Sequence, residues 1–270
     1  MMIILHDETY YKSRKPQPDL GRIGNLLRFI WNAEKKTVFD RTAKEWGIDY
    51  KPNIPLPLTS PIIWISEKNK NARSRRYAEA LTDFLKDYKM NTSQQELKCN
   101  KGQLRVDNKL KPCFFNIKSL GTCGKPPYGY TTPIQPCVLI KFNKRLDWIP
   151  RYYNQSSVLP HTMPNLLKNI IKKSKQVYIW LSCNGLDNID KEHIGKIEYI
   201  PNPGFPIEYF PFKGQKDYVS PIVALQFPNL TPNRLLTVQC VVWTSNLVQS
   251  SNYYLDFQII IGKTLYLENL

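Results

Sequence analysis

The chain has 270 residues, 42% hydrophobic and 22% charged, enough to bury one sizeable core, and 21 prolines against 12 glycines favour a strand-and-loop protein over a helical bundle. Lysines and arginines number 38 against 22 acids, a formal charge of +16 that suits nucleic acid, an anionic membrane surface or an acidic partner without choosing among them. No run of about 18 to 20 apolar residues is present, which excludes a membrane-spanning helix from the sequence as it stands.

At the N-terminus the apolar run Met1 to Leu5 is too short for the core of a signal peptide, and the sequence up to Pro18 reads as disordered. Leu26, Leu27, Phe29, Ile30 and Trp31 then form an apolar group ahead of Asn32, Arg41, Thr42 and Trp46. Residues 48–73 read as a proline-rich and basic linker, IDYKPNIPLPLTSP followed further on by KNKNARSRR. With no aromatics interleaved, that basic run reads as a solvated helix start and not as a nucleic-acid patch. The next stretch places Tyr77, Leu81, Phe84, Leu85 and Tyr88 at helical intervals, which predicts an amphipathic helix. From residue 74 to 270 the chain reads as one domain.

Val138 to Phe142 reads as a strand. Leu166, Leu167, Ile170 and Ile171 predict a short helix on a core, with the lysines of KNIIKKSK facing water. Val177 to Leu181 is a second strand, ending where Cys183 follows, and NGLDNIDKEH turns the chain over as a polar loop whose Asp187, Asp190 and Glu192 are solvated charges. Ile197 and Tyr199 share one face of a half-buried strand, after which Pro201, Pro203, Gly204 and Pro206 stop regular pairing. Tyr209, Phe210 and Phe212 then stand in a loop, where their rings either cap a sheet edge or, with Tyr218, form a docking surface. Leu236, Val238, Cys240 and Val242 share one strand face, as do Tyr253, Leu255, Phe257, Ile259 and Ile261. Period-two strands between proline-rich loops predict a mainly β, two-sheet sandwich with a flanking amphipathic helix.

Six cysteines, Cys99, Cys113, Cys123, Cys137, Cys183 and Cys240, lack metal-ligand spacing beside only three histidines, so they read as three disulfides with the pairing open. Asn91, Asn154 and Asn229 begin glycosylation sequons, the last weakened by Pro232. Together these place the domain in an extracellular or lumenal compartment. No phosphate loop, nucleophile elbow or zinc-protease motif is present, so the chain reads as a non-enzyme with no catalytic residue, metal site or cofactor.

The stretch SCNGLDNIDKEHIGKIEYIPNPGFPIEYFPF, together with PYGYTTPIQPCVLIKFNK and the spaced Asn32, Arg41, Thr42 and Trp46, resembles the beta subunits of the sodium/potassium-transporting ATPase, especially insect forms. Asn184, Ile207 and Glu208 depart from that family's pattern. The resemblance implies an immunoglobulin-like ectodomain and an accessory subunit that assists the assembly, trafficking and cation transport of a P-type ATPase alpha subunit, with Tyr209, Phe210, Phe212 and Tyr218 in contact and no nucleic acid bound. It also implies disulfides joining Cys99 to Cys113, Cys123 to Cys137 and Cys183 to Cys240, the last expected to bridge the two sheets. Finally, it implies a single-pass plasma-membrane protein with residues 1–47 cytoplasmic and an anchor helix at the Gly47/Ile48 junction. The flanks match and the apolar anchor alone is missing, which points to a skipped exon or incomplete gene model, against a true anchorless isoform. A pump-independent adhesion module of the same fold and a basic nucleic-acid-binding protein are the competing readings.

Overall fold

The computed structural model of the protein describes residues 47–52, 62–66, 72–90, 99, 101–104, 112–247 and 254–262. The N-terminal motif up to Trp46, the Asn91 sequon and Tyr253 lie outside the described residues. Among these, two sheets carry the fold. The first contains β1 (Ile48–Lys51), β3 (Cys137–Phe142), β7 (Ile222–Gln226) and β5 (Glu198–Ile200), in that order and antiparallel throughout. The second contains β2 (Ile62–Ser66), β9 (Tyr254–Gly262), β8 (Leu236–Trp243), β4 (Tyr178–Gly185) and β6 (Gly204–Pro206). Only β2 and β9 run parallel.

The sheets meet through aromatic contacts. Tyr50 of β1 stacks on Phe257 of β9 with ring centroids 5.1 Å apart, and Phe142 of β3 meets Phe205 of β6 edge-on at 5.5 Å. Alternation dictates which side chains reach this core: Leu236, Val238, Cys240 and Val242 are buried, and so are Phe257, Ile259 and Ile261.

Helix α1 (Ala72–Met90) buries Tyr77, Leu81, Leu85 and Tyr88 and leaves Phe84 half-buried, as its 3.6-residue period requires. Two tyrosines fasten its ends. The Tyr77 hydroxyl accepts from Trp64 N at 3.0 Å, and the Tyr88 hydroxyl donates to Ser220 O at 2.8 Å. Burial pushes the Tyr88 phenol well above its ordinary value, so it stays a donor.

Several expectations need correction. Residues 48–73 are not merely a linker, because β1, β2 and the start of α1 fall inside them. Ile48 and Tyr50 alternate into the core and Ile63 to Ile65 are buried, so the prolines interrupt strands without excluding them. Strand β4 does not end before Cys183 but continues to Gly185, since β8 pairs with it from Trp180 to Gly185. The following residues are not all loop: α3 (Asn188–His193) is started by Asp187, whose Oδ1 accepts from Asp190 N at 2.7 Å. Gly185 makes room for this turn, as a Cβ there would lie 2.3 Å from Lys191 N. Asp190 is not a solvated charge. It is buried and accepts from Thr237 N at 3.2 Å, tying α3 to β8. In α2 (Asn165–Lys173), Leu167 and Ile171 are buried but Leu166 points to solvent, one residue off the packed stripe.

The disulfides are Cys99–Cys113, Cys123–Cys137 and Cys183–Cys240. The third does not bridge the sheets: Cys183 and Cys240 are directly opposed on β4 and β8 of the same sheet, with Cα atoms 4.0 Å apart. What crosses between sheets at this point is Tyr199 of β5. Edge strand β6 pairs with β4 only from Tyr178 to Trp180, leaving the backbone of Cys183 without a ladder partner on that side. The Tyr199 hydroxyl fills both roles, accepting from Cys183 N at 2.7 Å and donating to Cys183 O at 3.1 Å.

Tyr199→Phe should therefore strand a donor and an acceptor together, lowering stability by about 2–4 kcal/mol in denaturant titration. Burial pushes the Tyr199 phenol up to about 12. The unfolded phenol loses its proton near 10 and the folded one near 12, so this stabilisation is complete below pH 10 and is lost as pH rises to 12. Wild-type stability should fall across that window by about 3 kcal/mol more than that of Tyr199→Phe. Parallel pH curves for the two proteins would contradict the assignment.

Candidate partner-binding surface

The aromatic loop is where sequence and structure differ most. Tyr209, Phe210 and Tyr218 are buried in this chain's own core and so do not present their rings to a partner; Phe212 is half-buried. Rings of this size find the nearest apolar contact, and β3 supplies it. Phe142 stacks on Trp148 at 5.3 Å with an interplanar angle of 9°, and Phe210 meets both edge-on at 5.1 and 5.8 Å. The polar ends are paired as well: Tyr209 donates to Phe114 O at 2.7 Å and Tyr218 donates to Tyr209 O at 3.2 Å.

This ring stack supports a surface made by other residues. After β3 the chain turns through residues 143–150, anchored on the aromatic loop by a bridge between Leu146 and Phe212 and by Asp147 N donating to Phe212 O at 2.8 Å. Leu146 and Ile149 consequently stand out from the turn, 65% and 56% exposed. Cations border them. The Lys144 ammonium lies 5.7 Å from the ring centres of both Phe212 and Tyr218, and the Arg145 guanidinium lies 5.4 Å from that of Trp148. An apolar pair on an aromatic base with a cationic rim can seat a protein surface. Sequence reasoning missed Leu146 and Ile149. The available signal was two large aliphatics set among Asn143, Lys144, Arg145 and Asp147.

The other site residues are scattered. Asn154 is exposed in a turn where its Oδ1 accepts from Ser156 N at 3.0 Å and from the Ser157 hydroxyl at 2.9 Å. Asn229 is exposed between β7 and β8. Among the described residues no group of three or more His, Cys, Asp or Glu is placed to hold a metal ion.

The sequence profile of the sodium/potassium ATPase beta chain matches residues 47–258, a span that begins with β1 and takes in the first sheet, the second sheet as far as the middle of β9, helices α1 to α3 and the turn bearing Leu146. The chain belongs to the sodium/potassium ATPase beta chain family. Similar members include subunit beta-1 of Drosophila melanogaster, 36% identical over 210 residues covering 76% of this chain and 66% of that protein. Subunit beta-2 of the same organism is 31% identical over 215 residues, covering 75% and 65%. Subunit beta-1 of Tetronarce californica is 26% identical over 306 residues, covering 88% and 94%. The match spans just under two thirds of the length of either fly subunit. The ring stack, the three disulfides and the 143–150 turn all lie inside the family match, and no helix among the described residues is long and apolar enough to cross a membrane.

Proposed function

We propose that the chain is a non-catalytic accessory subunit that binds the catalytic alpha subunit of a P-type sodium/potassium pump and assists its assembly and trafficking. The observation that carries this reading is the family match over residues 47–258. Contact is made through Leu146, Ile149 and the half-buried Phe212, with Tyr209, Phe210 and Tyr218 as the support beneath. Two facing sheets, antiparallel except for the β2–β9 pair, favour an immunoglobulin-like description of the domain, although the Cys183–Cys240 bridge lies within one sheet where an antibody domain has it between two. The working protein is a single-pass plasma-membrane subunit with this domain outside, its anchor entering at the Gly47/Ile48 junction, just ahead of β1. Sequencing transcripts across the codons for Trp46 to Tyr50 tests that last point, the expected result being a longer form with an apolar insert.

Co-purification with a pump alpha subunit tests the function. Each aliphatic removed from a buried contact should cost about 1.5–3 kcal/mol, so Leu146→Ser with Ile149→Ser should reduce capture at least tenfold while leaving the melting temperature unchanged. Failure of the disulfide-bonded, membrane-anchored parent to co-purify, where an ordinary beta subunit does, would overturn the reading in favour of an adhesion module.

A further inference from the structure

The basic run beginning at Lys168 has no part in the surface described above. From Trp148 to Leu186 the chain carries Arg151, Lys168, Lys172, Lys173 and Lys175 and neither an aspartate nor a glutamate. In the fold this stretch forms a layer over the outer face of the second sheet, where Met163, Leu167 and Ile171 pack on Tyr178, Trp180 and Trp243. The Trp180 indole donates to Tyr153 O at 2.8 Å, pinning the preceding loop to the same layer. Two of the ammonium groups are held flat on it: Lys172 Nζ donates to Gln155 O at 2.8 Å and Ser157 O at 3.0 Å, and Lys168 Nζ to His161 O at 3.2 Å. Lys173 and Lys175 are exposed beside them.

The stretch itself holds no acid to neutralise this charge. Glu208 lies outside the stretch and its charge is felt at Tyr178, while the outward-facing Asp256 sits on β9, beyond β8. A fixed cationic face without interspersed acid concentrates the positive potential, and a ligand with repeated negative charge answers it best.

We propose that this face binds a linear polyanion of the sulfated polysaccharide class. Disulfides such as the three found here persist in oxidising exterior compartments, where sulfated polysaccharides provide that chemistry. A membrane surface fits less well. An interfacial helix needs a broad free apolar face, and that of α2 is covered by Tyr178, Trp180 and Trp243, leaving Val158 and Leu166 as the exposed large aliphatics between residues 151 and 177.

Heparin affinity of the oxidised chain, measured across a salt series, tests the proposal. The parent binds at about 0.1 M salt, and Lys173→Glu with Lys175→Glu weakens binding at least tenfold and lowers the slope of log Kd against log salt by about 1.5. The control is Arg76→Glu with Lys118→Glu, an equal change of charge at two exposed positions elsewhere, which changes affinity less than about twofold. Because acids near the end of α2 oppose its dipole, Lys173→Gln with Lys175→Gln provides a milder pair that keeps the parent melting temperature and still weakens binding. Equal losses in the test and control pairs would mean that bulk charge alone is read. Absence of heparin binding by the parent, or tighter binding to phosphatidylserine vesicles with the same dependence on Lys173 and Lys175, also overturns the proposal.

Discussion

Replacing Cys183 and Cys240 together by alanine is expected to lower stability by about 4 kcal/mol, the loop-closure value for a bridge with sequence separation 57. For a folded unit of this size that corresponds to a fall of about 8–16 °C in melting temperature. Each of the other two bridges has a separation of 14 and should contribute about 3 kcal/mol. The difference follows from loop length, 57 residues against 14. Although both cysteines belong to the second sheet, the residues between them supply β5 and β7 to the first sheet and β6 to the second, together with helix α3. Cutting this one bond therefore frees segments on both sides of the core in the unfolded chain. Calorimetry of the double variant decides the point; a melting temperature within 2 °C of the parent would contradict the expected loss.

The second large effect is expected from Phe210→Ala. Its ring is almost fully buried against Phe142 and Trp148, and truncating an aromatic in such a site costs about 3–5 kcal/mol. The surface above it should fail with it, because Leu146 and Asp147 are positioned through Phe212, two residues further along the same loop. Phe210→Ala and the Leu146/Ile149 pair then separate by their signatures. The first loses melting temperature and alpha-subunit capture together, while the second loses capture alone. A Phe210→Ala protein with parental stability and no capture would restore the ring itself to the interface.

Legibility in the sequence followed the strength of each local pattern. Helix α1 was readable because Tyr77, Leu81, Leu85 and Tyr88 repeat a helical stripe over three turns, and β8 because four alternating apolar residues leave one choice of face. β1 offers only Ile48 and Tyr50 in a proline-rich setting, and its edge position comes from pairing with β3, far away in the chain. The placement of the Cys183–Cys240 bridge depends on which residue of β4 opposes which of β8, a register that period-two patterns leave undetermined within a pair of matching strands. At the candidate site, residue type alone left two readings open for the aromatics, a sheet-edge cap and a docking surface. Burial of Tyr209, Phe210 and Tyr218 fits the first, while the aliphatics Leu146 and Ile149 stand in solvent because the turn they occupy is held from below by the rings.

The parallel pairing of β2 with β9 also sets a timetable for synthesis. Ile62 is opposed by Gln258 and Ser66 by Gly262, so one of the earliest strands to leave the ribosome must wait for one of the latest. At about 5–20 residues per second the delay is about 10–40 s, during which Ile63, Trp64 and Ile65 have no ladder to join. Such an apolar strand, held open through most of translation, is a natural client for a chaperone.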